Sequence, residues 1–325
     1  MIKQGEINGH NALWLENGYL SVCVLPEKGA DIYDIVHAQD EVDFLMKTPW
    51  GLKPPAKRPP ADFLENYEGG WQELFPNPGD AAVYNGVELP FHGEAALLAW
   101  EYEITGANEA LFWVNCQRTP FRLERRMRLH ANAPVLEIQA SVINISDQPQ
   151  VFLWGHHVVL GGRFLEGGCR METSARTILT PDVLYELETA KLAPGQREPW
   201  PHGLGRNQGE RFDLQTIPGP EARWHDDIYL LGLSRGEVIV TNPKLKLGFQ
   251  LEWDEQVFPC LVNWRPLGGA DMSPLTGIYG LGIEPWTSHY SLTEAQKHGD
   301  VRRLAAGEIL TTTLTTSILI GNENK

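Results

Sequence analysis

Residues 121–130 read "FRLERRMRLH", and the period of this stretch decides the fold class. Phe121, Leu123, Met127 and Leu129 fall on one side; Arg122, Glu124, Arg126 and Arg128 fall on the other. Successive side chains of an extended chain point to opposite faces. The stretch is therefore a strand with one dry and one wet face, as antiparallel sheets have. The next segment, 135–145 "VLEIQASVINI", alternates again, with Leu136, Ile138, Ala140 and Val142 together. Strand-like runs recur at 19–25, 30–37, 111–117, 151–154, 228–233, 237–241, 246–253, 258–263, 279–284 and 310–320. "PEKG", "NISDQP", "SRGE" and "TNPK" supply turns between them. Short strands with turn signals at this spacing predict an all-β sandwich or barrel. Helical pattern is confined to 62–67, "DFLENY", and 292–298, "LTEAQKH", with no heptads and no internal repeat. "LKPPAKRPP" at 52–60 has the composition of a linker, yet strand patterns resume on both sides. The stretch 191–221, rich in Pro, Gly and charge, reads as a long surface excursion, of the kind that is functional or covering. One large antiparallel domain over 1–325 is expected.

Composition narrows the function classes. The chain has 325 residues, 42% of them hydrophobic, which suffices for a large core. Lys+Arg is 27 against 42 Asp+Glu, a formal net charge of −15. That balance repels nucleic acid and anionic membrane surfaces, so neither is an expected partner. Cys23, Cys116, Cys169 and Cys260 are far apart in sequence and form no CxxC motif; reduced, mostly buried thiols are expected. The opening "MIKQGEINGHNALWLENG" has no apolar leader, and no run approaches a membrane span. A cytoplasmic location is the expectation.

Four segments mix polar, aromatic and glycine residues as sites do: "GGWQELFPN" (69–77), "FHGE" (91–94), "WGHHVVLGG" (154–162) and "GLGIEPWTSHY" (280–290). Each lies where a strand pattern meets turn residues, which predicts a site at strand ends on a rigid sheet. His92 precedes Gly93, which permits close backbone approach; it is either a ligand contact or a satisfied structural histidine. His156 and His157 face opposite ways in an extended stretch, so only one can serve a given cleft. Glu284 follows an apolar run and precedes Pro285, which has no N–H for a ladder. It is either a working carboxylate or a charge that ends strand pairing. Among the 11 tryptophans, Trp71, Trp154, Trp200, Trp264 and Trp286 sit beside Gly, Pro, Asn or His. Core packing is their ordinary role; stacking on the apolar faces of sugars is the alternative. No GxSxG elbow, phosphate loop or dinucleotide fingerprint occurs. No metal-ligand spacing occurs either, so no metal site is expected. What remains is a histidine with a carboxylate as an acid–base pair, the carboxylate's proton affinity raised by apolar surroundings.

Further stretches join these in a longer ordered set: "LPEKGADIYDI" (25–35), "GGWQELFPNPGD" (69–80), "FHGEA" (91–95), "VINISDQPQVFLWGHHVVLGG" (142–162), "DDIYLLGL" (226–233), and "LVNWRPLGG" with "GLGIEPWTSH" (261–289). In that order they resemble the aldose 1-epimerase, or galactose mutarotase-like, family, in a divergent branch. The resemblance implies a β-supersandwich of large antiparallel sheets with a sugar cleft on one concave face. It implies His157 as the acid that protonates the ring oxygen and Glu284 as the base that takes the anomeric proton. His92 would lie near the ring oxygen and Asp226 on sugar hydroxyls, with Asp227 a close rival. Trp71, Gln72, Trp264, Arg265 and Trp286 complete the expected sugar contacts. Pro285 becomes the point where the strand stops and the carboxylate meets the cleft. The chain has Leu160 where the family carries an aromatic, and "GGWQELFPN" and "FHGEA" where it carries an arginine ahead of "NR" and an "HLHGG" stretch, so the arginine is not carried over and the identity of the sugar stays open. Arg163 and Arg265 could clamp an anionic sugar. The expected partner is a small-molecule carbohydrate, with no cofactor and with a homodimer as one open assembly. Two other readings stand beside the epimerase: a non-catalytic sugar-binding or sensing protein on the same fold, and a lyase or isomerase of an oxidised sugar.

Overall fold

The computed structural model describes residues 1–55 and 62–321. Residues 56–60 of the proline-rich stretch 52–60 lie outside the described residues. Among the described residues two large antiparallel sheets dominate, one of thirteen strands and one of eight.

The "FRLERRMRLH" stretch forms a strand, Phe121–Leu129, near the middle of the eight-stranded sheet. It pairs with Glu109–Asn115 on one side and Val135–Asn144 on the other. Phe121, Leu123, Met127 and Leu129 are buried, and Arg122, Glu124, Arg126 and Arg128 reach toward water. One residue breaks the simple pattern. Arg125 shares the dry face and is fully buried. Its guanidinium meets Glu73 of the other sheet at 3.0 Å, donates to the Ala30 carbonyl and stacks on Trp100. Glu73 also accepts from the Trp154 indole at 2.6 Å. The pairing satisfies both buried charges and ties the two sheets together through their common core.

The large sheet carries the site. Its central order runs Trp71–Leu74, Gly155–Leu160, Glu284–Trp286, Cys260–Leu267, Trp224–Leu231, Thr177–Leu179. One face packs on the eight-stranded sheet. The other face carries a second apolar cluster that includes Phe63, Tyr67, Val262, Leu275 and Trp286. Gly155–Leu160 is accordingly buried at every position, His156 and His157 included.

Two expectations about chain path change here. Pro285 does not end its strand. Glu284–Trp286 is an interior strand, with Pro285 opposite Leu261. The amides of Ile283 and Thr287 donate to Val158 and Trp154 across the other side, and Pro285 occupies the position between them. A proline is tolerated there because only one rung of that ladder is lost. The stretch 191–221 is more than a surface excursion. Arg197–Pro199 adds an edge strand to the large sheet, His202–Leu204 pairs with Arg211–Asp213, and Leu192 and Leu214 are buried in the main core.

The two helices fall where expected. Phe63–Asn66 starts on Asp62, whose carboxylate accepts from the Leu64 amide at 2.7 Å. Leu292–His298 starts on Ser291 and stops at Gly299, whose left-handed φ of 70° suits glycine. All four cysteines are free thiols, three of them buried. Among the described residues no helix is long and apolar enough to cross a membrane.

Candidate active site

A cavity of about 310 Å³ opens on the face of the large sheet away from the inter-sheet core. Its floor is built by strand alternation. In Trp224–Leu231, the core takes Ile228 and Leu230, so Asp227 and Tyr229 point to the cavity. In Cys260–Leu267 the core takes Leu261, Asn263 and Arg265, leaving Val262 and Trp264 on the floor. In Gly155–Leu160 His156 faces the core and His157 the cavity. Glu284 and Trp286 complete the floor from the strand between these.

His157 and Glu284 are neighbours, with Nε2 and Oε1 3.8 Å apart and both side chains buried. Residue 282 makes this placement fit. A Cβ there would lie 2.4 Å from Glu284 Oε1 and 2.8 Å from Trp264 Cβ, so only glycine leaves room for the carboxylate beside the indole. The short helix Phe63–Asn66 covers the pair from above. Phe63 and Tyr67 present ring edges to His157, with centroids 5.5 and 5.2 Å away, and Phe63 does the same to His92 at 4.7 Å. Trp264 flanks His157 from the other side at 5.6 Å.

His92 reaches the cavity from a loop with a left-handed backbone, φ 64°, followed by Gly93 at φ 78°. A Cβ on residue 93 would stand 2.2 Å from the Phe75 carbonyl oxygen. The next residue, Glu94, is buried and accepts from the amides of Gln117 and Arg118 and the hydroxyl of Thr119, at 2.7, 2.8 and 2.9 Å. That anchor holds the strained turn in place.

Loss of water governs the electrostatics. Burial raises the Glu284 carboxyl well above the usual carboxylate range, and the nearby Asp227 charge adds to the rise. Burial likewise raises Asp227 to about 7, helped by Asp226 and Glu186. The same burial lowers His157 to about 3 and holds His92 well below an ordinary histidine. Loss of water thus favours the protonated carboxyl on Glu284 and the neutral imidazole on His157. The roles implied by the resemblance, His157 as acid and Glu284 as base, call for the opposite placement of that proton.

Not every expected contact reaches the cavity. His92, His157, Trp264, Glu284 and Trp286 line it. Asp226 does not. It faces the core side, where it accepts from the Lys191 amide at 2.8 Å, the Leu192 amide at 3.2 Å and the Trp224 indole. Asp227, the rival, is the one on the floor. Trp71 is fully buried between the sheets, donating to His156 at 3.3 Å. Arg265 is fully buried on that same face, over the Trp224 ring and bonded to Asn263. Gln72 turns to the Gly69 carbonyl, 2.7 Å away, beside the cavity rather than in it. Arg163 is exposed and outside the lining. The site also lies across the middle of the sheet, not at strand ends.

Sequence reasoning passed over Phe63, Tyr67, Tyr229 and His225 as cavity residues. Parity held part of the signal, because Asp227 and Tyr229 alternate with the apolar Ile228 and Leu230. No comparable local pattern marks Phe63 and Tyr67. Among the described residues no three His, Cys, Asp or Glu side chains converge as metal ligands would.

A model for the family described as a domain of unknown function (DUF4432) matches residues 7–318, and the chain belongs to that family. No curated protein matches it. Solved structures do. A protein described as a "putative aldose 1-epimerase" from Klebsiella pneumoniae superposes with a TM-score of 0.72 at 16% identity, over 98% of this chain and 83% of that one. A "galactose mutarotase related enzyme" from Lactobacillus acidophilus gives 0.68 at 18% identity, over 96% and 98%. A galactose mutarotase-like protein from Clostridium acetobutylicum gives 0.62 at 16%, over 98% of each chain. At these identities the likeness is one of fold. The fold is the galactose mutarotase-like β-supersandwich.

Proposed function

We propose that this DUF4432 protein is an isomerase of the aldose 1-epimerase type, which interconverts the anomers of a sugar by opening and reclosing its ring. The observation that carries this reading is the His157–Glu284 pair, 3.8 Å apart on the floor of a cavity walled by aromatic rings. Opening a cyclic hemiacetal needs one group to take the proton of O1 and another to give one to the ring oxygen. The C1–C2 bond then rotates, and closure on the other face of the carbonyl delivers the other anomer. Between them His157 and Glu284 hold one proton, which is what a single exchange requires. After ring opening the roles are reversed, so one shared proton serves both directions of the reaction. Aromatic walls suit the apolar faces of a sugar, and on this reading Asp227 and His92, which line the cavity, meet its hydroxyls. Holding both groups against the sugar makes the proton transfers close to intramolecular.

Anomer exchange followed by polarimetry or saturation-transfer NMR over a panel of aldoses tests the reading. Acceleration is expected for at least one sugar. Glu284→Gln should lower it by roughly 10²–10⁴-fold, the usual contribution of one proton-transfer group. Sugar binding with no acceleration of any aldose would instead favour a binding or sensing protein.

A further inference from the structure

The floor of the cavity is ordered across its strands as well as along them. Gly155 pairs with Trp286 and Val159 with Gly282, which sets His157 opposite Glu284. Glu284 pairs in turn with Val262, and Val262 with Tyr229. The four residues form one line across four adjacent strands, and all four line the cavity. Side chains stand roughly perpendicular to a sheet. Glu284 and Tyr229, two strands apart, therefore rise ~10 Å from each other, with only the short Val262 between them. The lines on either side are filled differently. On one side the Trp264 indole takes the place next to Asp227. On the other, Trp286 stands between Gly155 and Cys260. The result is a trough with the reacting pair at one end, a phenol at the other and an indole on each flank.

The phenol at the far end has no structural duty for its hydroxyl. Tyr229 is half-buried, and the ring of His289 braces its own from 5.8 Å. The hydroxyls of Tyr84 and Tyr279 donate to the Gln150 side chain and to the Pro218 carbonyl, at 3.0 and 2.8 Å. Among the described residues that of Tyr229 has no such acceptor. Burial, with the Asp227 charge beside it, holds its proton well above the ordinary tyrosine range. It therefore stays an O–H donor at any working pH.

We propose that Tyr229 is a specificity-determining residue, whose hydroxyl donates to O3 or O4 of the sugar. The inference rests on the isomerase reading for where the anomeric carbon sits, and on the register of the floor for what faces it. In a six-membered sugar ring the C3–C4 bond lies opposite the C1–O5 bond that opens. A ring lying along the trough with C1 and O5 at His157 and Glu284 covers Val262 and brings its C3–C4 edge to Tyr229.

The test follows anomer exchange of glucose, galactose and mannose, and of their 3-deoxy and 4-deoxy forms, with the full chain and with Tyr229→Phe. For a sugar that carries both hydroxyls the variant should lose about tenfold in kcat/KM, the worth of one hydrogen bond between neutral groups, and the loss should lie in KM rather than kcat. For the 3-deoxy or the 4-deoxy form of the same sugar the loss should shrink to within about twofold, because the partner is already gone. Tm should be unchanged, since the hydroxyl holds nothing within the chain. Equal losses for the parent and both deoxy forms, no loss at all, or a fall in Tm overturns the proposal. Calorimetric binding of the same sugars to Glu284→Gln, with and without Tyr229→Phe, separates this inference from the isomerase reading. If no sugar exchanges, the isomerase reading falls. The Tyr229 contact then stands if Tyr229→Phe weakens binding of the parent sugar and spares one deoxy form, and falls if all are weakened alike or none binds.

Discussion

His157 and Glu284 lose their water together, and the loss acts on them with opposite sign. A base deprived of water prefers to be neutral, and so does an acid, so the histidine sheds its proton and the carboxyl keeps one. The consequence for pH is direct. Lowering the pH from about 7 to about 5 would charge an ordinary histidine. Here it adds no proton to His157, which titrates at about 3, and leaves the proton of Glu284 in place. The rate of anomer exchange should therefore hold between those values in Asp227→Asn, where the carboxyl that burial raises to about 7 no longer titrates in the same range. It should fall only on the alkaline side, once Glu284 gives up the shared proton. A pH–rate profile checks this, and a decline through the ordinary histidine range would contradict it. At the same scale Gly282 explains why a carboxylate can lie beside Trp264 at all, and that reason was not visible in "GLGIEPWTSHY" alone.

The elements show what a sequence period can and cannot decide. The alternation in Phe121–Leu129 was legible because each face has one environment. In the large sheet both faces are covered, one by the second sheet and one by loops, so alternation there separates two kinds of inside. That is why Asp226, Trp71 and Arg265 were grouped with the site although each has the parity of its core neighbours. It is also why Arg125, a charge on an apolar face, went unremarked: its partner Glu73 lies 52 residues away. The loop carrying His92 depends on a similarly distant contact. Glu94→Ala should free the turn from residues 117–119 and cost about 2 kcal/mol, within the range for hydrogen bonds to a charged acceptor. Thermal unfolding checks the loss, and a weakened KM with a smaller change in kcat would show that His92 had moved with the loop.

Across the whole molecule, buried titrating groups oppose one another. Burial raises Asp31 and Asp227 to about 7, and Asp34 and Asp226 to about 6, from an unfolded value of 3.8. The stability these acids contribute is fully present below the unfolded value and is lost as pH rises through 6 to 7. His156 and His157 are lowered to about 4 and about 3, so their contribution is present above 6.5 and is lost as pH falls below it. Tm should therefore rise as pH is lowered from about 8 to about 6.5, and below that should rise less than the four acids alone would make it, because the two histidines work against them. A Tm that climbs steadily from about 6.5 to about 8 would contradict this balance. The register of the central strands has a consequence of another kind. Glu284 reaches the cavity only because it stands opposite Val262. A slip of one residue would turn Ile283 into the cavity and force the carboxylate into the dry layer between the sheets. A misaligned chain is thereby penalised by the same carboxylate that, in the aligned one, lines the cavity. The candidate site proofreads the sheet that carries it.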